Sequence, residues 1–107
     1  MQRIASVIHL RPEMKATYLE LHHNPPLEVL EILKRAGVQN YSIFLHGDLL
    51  FSYLEFTGDD WNAAQLEIAA DPATGAWWRR TDPCQRPLEG APEGAWWTQM
   101  PSVFFLE

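Results

Sequence analysis

The sequence lacks the features on which several classes of function depend. It contains one cysteine, Cys84, so neither an internal disulfide nor a cysteine-based metal site is available, and a reducing compartment fits. Its net charge is −6 and it has no run of Lys or Arg, which argues against a nucleic-acid partner. No apolar run reaches the roughly 18 residues of a membrane span or forms the core of a signal peptide. We therefore expect a cytoplasmic protein that binds neither nucleic acid nor membrane.

Patterns typical of metal and nucleotide sites are also missing. The four histidines include the adjacent pair His22 and His23, and none of them stands in the H-x-x-x-H or H-E-x-x-H spacing of a zinc site. The glycines are isolated, so no glycine-rich loop is available to hold a phosphate group. We expect the protein to use neither a metal ion nor a nucleotide cofactor.

Tryptophan is the residue type that the sequence has in excess. Its 107 residues correspond to one domain, residues 1–107, and 47% apolar and 21% charged residues are ordinary for a folded protein. Five residues are Trp, and four of these form the doublets Trp77-Trp78 and Trp96-Trp97. Because an indole gives a large rigid contact area with one polar edge, the doublets indicate a pocket wall or a subunit interface.

Apolar periodicity and turn residues predict an α+β fold. Alternation of apolar residues predicts strands at 2–10, 39–46, 49–56 and 102–106. Helical spacing with capping residues and prolines predicts helices at 12–23, 27–36, 61–69 and 72–81, and the segment 82–97, rich in Pro and Gly, is expected to be an ordered surface loop. The resulting order is the split βαβ arrangement, a four-stranded antiparallel sheet with helices on one face. The uncovered face favours pairing with a second copy.

The stretch from Lys15 to Glu28 carries the strongest chemical signal. Tyr18 and His22 lie four residues apart on a predicted helix, so both side chains project from one face. An imidazole exchanges protons near neutrality, and a phenol is a proton donor unless its surroundings change that. Such a pair suits a reaction that takes a proton from one oxygen atom and gives one to another nearby.

Each candidate residue also has a simpler structural interpretation. A single histidine on a helix is more often a surface or capping residue, and tyrosines such as Tyr18 and Tyr41 are commonly half-buried core aromatics. Trp77 and Trp78 are adjacent, so at most one of them should stack on a ligand while the other packs in the core or in an interface.

Three sequence motifs together resemble the L-rhamnose mutarotase family over nearly the whole chain. They are the Y-x-x-x-H of Tyr18 and His22, the segment GVQNYSIFL at 37–45, and Trp77-Trp78 followed by TDPCQ at 81–85. The resemblance implies a ferredoxin-like βαββαβ fold that forms a dimeric α+β barrel. It also implies an isomerase that interconverts the α and β anomers of L-rhamnose or a related deoxy-sugar pyranose, without cofactor or metal. By position, His22 would be the proton donor, Tyr18 its catalytic partner, and Tyr41, Trp77 and Trp78 the sugar-binding residues.

Other functions are also compatible with the sequence. The family usually has a W-P-E motif after the histidine, whereas this chain has Pro26, Leu27 and Glu28 there. A sugar-binding module without turnover is therefore one alternative. Small dimeric α+β barrels also include cofactor-free monooxygenases and haem-degrading proteins, which form a second alternative. Among sugars, L-rhamnose is the leading substrate and L-fucose the next.

Overall fold

A computed structural model, which describes residues 1–107, contains five strands and four α-helices. In chain order these are β1 (Gln2–Leu10), α1 (Lys15–His23), α2 (Leu27–Arg35), β2 (Val38–His46), β3 (Leu49–Phe56), α3 (Trp61–Ala70), α4 (Pro72–Thr81), β4 (Gln85–Arg86) and β5 (Thr98–Met100). Short 3-10 turns, Pro12–Met14 and Asp82–Cys84, precede α1 and follow α4. None of the helices has both the length and the apolar character that a membrane span needs.

The strands form one antiparallel sheet in which β1 lies between two sets of neighbours. The strand order is β2-β3-β1, and the other edge of β1 is shared by β4 and β5. β4 pairs with the end of β1 at His9 and Leu10, and β5 pairs with its middle at Ala5 to Val7. Together the two short strands take the place of the fourth strand in the split βαβ order. The sheet thus has the ferredoxin-like arrangement expected from the sequence.

The prediction of a last strand at 102–106 is wrong. That segment has no regular structure and its apolar side chains are exposed, with Val103 97% and Phe104 81% exposed. The strands on this edge are instead β5, just before the segment, and β4, inside the stretch 82–97 that the sequence predicts to be a loop. Strands of two and three residues are too short for an alternating pattern to reveal, and their pairing depends on where the β1 edge lies in the fold.

The helices pack on one face of the curled sheet, and the core lies between the two layers. The strands contribute alternate residues to this core, as the period of two requires. The core residues from the strands include Ile4, Ile8, Leu10, Val38, Leu50, Leu54 and Phe56, and the helices add Tyr18, Val29, Ile32, Ala64 and Ile68.

Proline and aspartate set the ends of the helices that carry the site. α1 ends at His23 because Asn24 is followed by two prolines, and a residue before proline avoids the helical conformation. Asp60 and Asp71 cap α3 and α4, where their carboxylates accept hydrogen bonds from first-turn backbone N–H groups at 3.0 and 2.9 Å. The Asp71 cap fixes where α4 begins and therefore which of its residues face the sheet.

A β-bulge in β2 turns Tyr41 toward the helices. Asn40 and Tyr41 together stand opposite a single residue of β3 at this point. Asn40 has a φ of 49°, a left-handed conformation that asparagine adopts more readily than most residues. The extra residue shifts the alternation of side chains by one, so that Val38 before the bulge and Ile43 after it both face the helices. Tyr41 shares the side of Ile43.

The outer face of the sheet and the C-terminal segment expose apolar side chains. Phe44, which is 63% exposed, is the cross-strand partner of Phe51, and Phe51 is the partner of Val7 on its other side. Residues 101–107 continue beyond β5, and the Arg3 guanidinium lies 3.3 Å from the ring centre of Phe105. The surface opposite the helices is therefore partly apolar.

Candidate active site

A cleft lies between the helices and the sheet and has two adjoining lobes of about 330 and 700 Å³. Cavities of this size are typical of sites that bind small molecules. Tyr18, His22, Tyr41 and Trp77 border both lobes, and Trp78 borders the larger one. The fold therefore brings all five residues that the sequence singles out to one cavity.

Tyr18 and His22 stand one turn apart on α1 with their rings in contact. The ring centroids are 4.2 Å apart, and the ring planes are inclined by 30°. His22 Nδ1 lies 2.8 Å from the backbone carbonyl oxygen of Tyr18. Because a carbonyl oxygen only accepts hydrogen bonds, we assign the proton to Nδ1, which donates it. In the neutral imidazole, Nε2 then carries the lone pair and is the nitrogen that can take a proton from a ligand.

The hydroxyl of Tyr18 is held by a residue that sequence reasoning missed. Gln85, the first residue of β4, is buried, and its Nε2 donates a hydrogen bond to Tyr18 Oη at 3.1 Å. Its Oε1 accepts a hydrogen bond from Trp96 Nε1 at 2.8 Å. Burial raises the pKa of Tyr18, and the hydrogen bond from Gln85 opposes part of that rise. Tyr18 is therefore a neutral phenol with a hydroxyl proton to donate.

One face of α4 presents aromatic and hydroxyl side chains to the cleft. Thr74, Trp77, Trp78 and Thr81 follow the spacing of a single helical face, and all four border the larger lobe. Trp77 is buried, and its indole meets the His22 imidazole in a T-shaped contact with centroids 5.2 Å apart. Trp78 is 41% exposed. Both tryptophans of the doublet thus border the cleft, one as a buried wall and the other next to solvent.

Tyr41 reaches the cleft from the sheet. The residue as a whole is 43% exposed, yet burial of its phenol raises its pKa. The Tyr41 phenol also contributes to the raised pKa of Tyr18, so the two phenols face the same region. The bulge that positions Tyr41 is tied to β3, because Asn40 Nδ2 donates a hydrogen bond to Glu55 Oε1 at 2.6 Å.

Two further polar residues border the larger lobe. The Thr74 hydroxyl is buried and makes no hydrogen bond. Asp82 follows α4, and burial raises the pKa of its carboxyl. Asp82 and Gln85 belong to the TDPCQ motif, so the sequence did indicate that this segment is important. The spacing of the motif did not predict which of its side chains face the cleft. Thr74 carried no signal in the sequence.

The remaining sequence features lie around this cleft or outside it. Trp96 and Trp97 both border the larger lobe, so the second doublet belongs to the same cavity as the first. Pro26, Leu27 and Glu28, which replace the W-P-E motif, border neither lobe, and Leu27 is 66% exposed. No three His, Cys, Asp or Glu side chains come together as metal ligands would.

The sequence matches known carbohydrate isomerases along its length. The family model described as L-rhamnose mutarotase matches residues 3–106. The L-rhamnose mutarotase of Listeria monocytogenes is 35% identical over 88 residues, which cover 80% of this chain and 82% of that protein. The L-rhamnose mutarotase of Shigella flexneri is 32% identical over 111 aligned positions, which cover 99% of each chain.

Solved structures share the fold at lower identity. The L-rhamnose mutarotase FA22100 from Formosa agariphila has a TM-score of 0.78 and 24% identity over the whole of both chains. Tetracenomycin F2 cyclase from Streptomyces glaucescens has a TM-score of 0.66 and 19% identity, and an antibiotic biosynthesis monooxygenase has a TM-score of 0.60 and 17% identity. At these identities the structures establish the fold alone.

The family assignment therefore comes from the sequence matches. They extend from β1 to the C-terminal segment, and the aligned relatives exceed 30% identity over most of the chain. The chain belongs to the L-rhamnose mutarotase family, and it is a carbohydrate isomerase of the mutarotase type.

Proposed function

We propose that this protein interconverts the α and β anomers of L-rhamnose, with residues 1–107 acting as one catalytic domain. The observation that carries the proposal is the contact between the Tyr18 phenol and the His22 imidazole on the wall of a cleft that has room for a monosaccharide. The names of its sequence relatives supply the substrate.

Mutarotation requires one group that takes a proton and another that gives one. The anomeric hydroxyl loses its proton, the ring oxygen gains a proton, and the bond between the anomeric carbon and the ring oxygen breaks to leave an aldehyde. Rotation about the adjacent carbon–carbon bond presents the other face of the aldehyde to the freed hydroxyl. Ring closure on that face inverts the anomeric carbon, and no atom is gained or lost overall.

The hydrogen bonds around Tyr18 and His22 suit them to these two roles. In ring opening, neutral His22 Nε2 takes the proton of the anomeric hydroxyl, and the Tyr18 hydroxyl protonates the ring oxygen. Gln85 Nε2–H stabilises the charge that develops on the phenol oxygen. In ring closure the transfers reverse, and His22 acts as the proton donor. A positioned acid or base contributes about 10²- to 10⁴-fold to such a reaction.

Aromatic side chains are proposed to hold the sugar against this pair. The Trp77 indole lies against His22 and offers a rigid surface to an apolar sugar face. Tyr41 approaches from the sheet and Trp78 from the exposed side of α4, so the three residues border the cleft from different directions. Tyr41 and Trp78 are expected to affect sugar binding more than the proton transfers, whereas Trp77 is expected to affect the proton transfers as well, through its contact with His22.

We further propose a cytoplasmic homodimer formed through the outer face of the sheet. Phe44 and the segment 101–107 expose apolar surface of the kind that another subunit covers. Cys84 is a free thiol, which is consistent with a reducing compartment. Sedimentation equilibrium is expected to give twice the 12.3 kDa chain mass. Deletion of residues 101–107 is expected to shift the protein toward monomer. A monomeric mass for the full chain would contradict this part of the proposal.

Magnetisation-exchange NMR on the anomeric protons tests the proposed activity. The exchange rate between α- and β-L-rhamnose is expected to rise in proportion to protein concentration, with a smaller rise for L-fucose. If L-rhamnose binds without faster exchange, the protein is a sugar-binding module. If neither sugar binds or exchanges faster, the proposal is wrong. The likeness to a monooxygenase is confined to the fold and does not favour that alternative.

A further inference from the structure

Gln85 connects the catalytic helix to the segment that carries the second tryptophan doublet. Its side chain is buried, with 4% of the residue exposed, and both ends of its amide are hydrogen-bonded. One bond goes to Tyr18 on α1 and the other to Trp96, eleven positions further along the chain. A buried amide with both ends occupied has one fixed orientation.

The chemistry of the partners determines which end faces Tyr18. The indole Nε1–H of Trp96 is only a donor, so it must meet the amide oxygen of Gln85. The amide nitrogen, which is only a donor, is then left to face Tyr18 Oη. The phenol oxygen therefore accepts a hydrogen bond from Gln85 and cannot give its proton to it.

We infer that Gln85, oriented by Trp96, is a positioning residue that keeps the Tyr18 hydroxyl proton directed to the ligand. This inference rests on the proposed function, in which that proton goes to the ring oxygen of the sugar. Without Trp96 Nε1–H the amide could rotate and present its oxygen to Tyr18, which would then donate to Gln85 and lose its role. The segment 87–97 thus influences the proton donor, Tyr18, through Trp96, although Tyr18 itself lies on α1.

Gln85→Glu tests the inference because it keeps the shape and reverses the hydrogen bond. An ionised Glu accepts hydrogen bonds but donates none, so Tyr18 would donate its proton to the carboxylate. We expect kcat to fall by about 10²-fold at a pH where the carboxyl is ionised. On protonation the carboxyl can donate again, so the ratio of the variant's kcat to the parent's should rise as the pH falls. Dividing by the parent removes from this ratio any pH dependence that the two proteins share.

Three single variants and one double variant separate positioning from packing. Gln85→Met keeps the volume and leaves the phenol unoriented, and it should lose about three- to tenfold in kcat at every pH. Gln99→Glu places a carboxylate at a more exposed part of the same lobe, and its ratio to the parent should vary little with pH. Trp96→Phe removes the indole N–H and should lower kcat, whereas Trp96→Phe combined with Gln85→Met should be no slower than Gln85→Met alone.

The measurements distinguish this inference from the proposed function. If the parent accelerates anomer exchange and the Gln85→Glu ratio rises toward low pH, Gln85 has the role assigned to it. If the parent is active but the ratio is independent of pH, or the Trp96 and Gln85 effects are additive, the inference is wrong and the mutarotase proposal stands. If the parent does not accelerate exchange, both fail.

Discussion

The Trp77 indole stands T-shaped to the His22 imidazole, with ring centroids 5.2 Å apart and ring planes at 65°. His22 lies near the end of α1 and Trp77 lies in α4, so the contact joins two helices across the cleft. Because Trp77 is only 8% exposed, its position is fixed by the core. The Trp77 indole, which is proposed to hold the sugar, and the His22 imidazole, which is proposed to exchange a proton with it, are therefore held together by one packing contact.

Alanine substitutions at the two adjacent tryptophans should have different consequences. Trp77→Ala is expected to lower the free energy of unfolding by about 3–5 kcal/mol and to reduce kcat, since His22 loses its packing partner. Trp78→Ala should change the free energy of unfolding by less than about 1 kcal/mol and mainly raise KM. Urea denaturation and anomer-exchange kinetics measure both effects. Equal losses of stability in the two variants would contradict the packing described for Trp77.

The unpartnered hydroxyl of Thr74 gives a test in which stability and function move in opposite directions. Thr74→Val removes a buried hydroxyl without a hydrogen bond, so the free energy of unfolding should rise by about 1 kcal/mol or more. If that hydroxyl binds the sugar, KM rises as well. Thr98→Val is the matched control, because Thr98 also has a buried unpartnered hydroxyl but borders neither lobe. A destabilised Thr74→Val variant would show that this hydroxyl does have a partner.

The bulge at Asn40 should control sugar binding through Tyr41. Asn40→Ala places at a φ of 49° a residue that adopts this left-handed conformation less readily than asparagine does, and it removes the hydrogen bond to Glu55. Asn40→Gly removes the same hydrogen bond but tolerates the φ, so it should be more stable than Asn40→Ala by about 1 kcal/mol. Both variants should raise KM, because Tyr41 loses its fixed direction. A KM equal to that of the parent in both variants would contradict this role of the bulge.

Glu55 should make the free energy of unfolding depend on pH in the acidic range. Hydrogen bonds from Asn40 and Tyr53 lower its pKa below the ordinary value of 4.5. The unfolded chain therefore binds a proton at a higher pH than the folded protein does. This contribution is present above the unfolded pKa and is lost as the pH falls through the folded one. Urea unfolding between about pH 6 and 3 should show a smaller loss for Glu55→Gln than for the parent, and identical pH profiles would contradict this.

The sequence predicted the parts of this protein that depend on local pattern. The spacing of Tyr18 and His22 placed both on one helical face, and turn residues located the helices and the first three strands. The sequence could not predict β4 and β5, because the pairing of these short strands depends on the position of the β1 edge in the fold. It also missed Gln85, since its two hydrogen bonds join residues 67 and 11 positions away. The apolar segment 102–106 was predicted to be a strand because local pattern does not say whether the fold offers a sheet edge to that segment.

The neighbouring histidines provide the most direct test of the central claim, that His22 exchanges the proton of the anomeric hydroxyl. His22 borders both lobes of the cleft, whereas His23 borders neither. Anomer-exchange rates for L-rhamnose should be measured by NMR at saturating sugar for His22→Gln and His23→Gln at equal concentrations of folded protein. The account predicts a loss of about 10²-fold or more for His22→Gln and a rate near the parent's for His23→Gln. A His22→Gln variant that exchanges anomers as fast as the parent would contradict it.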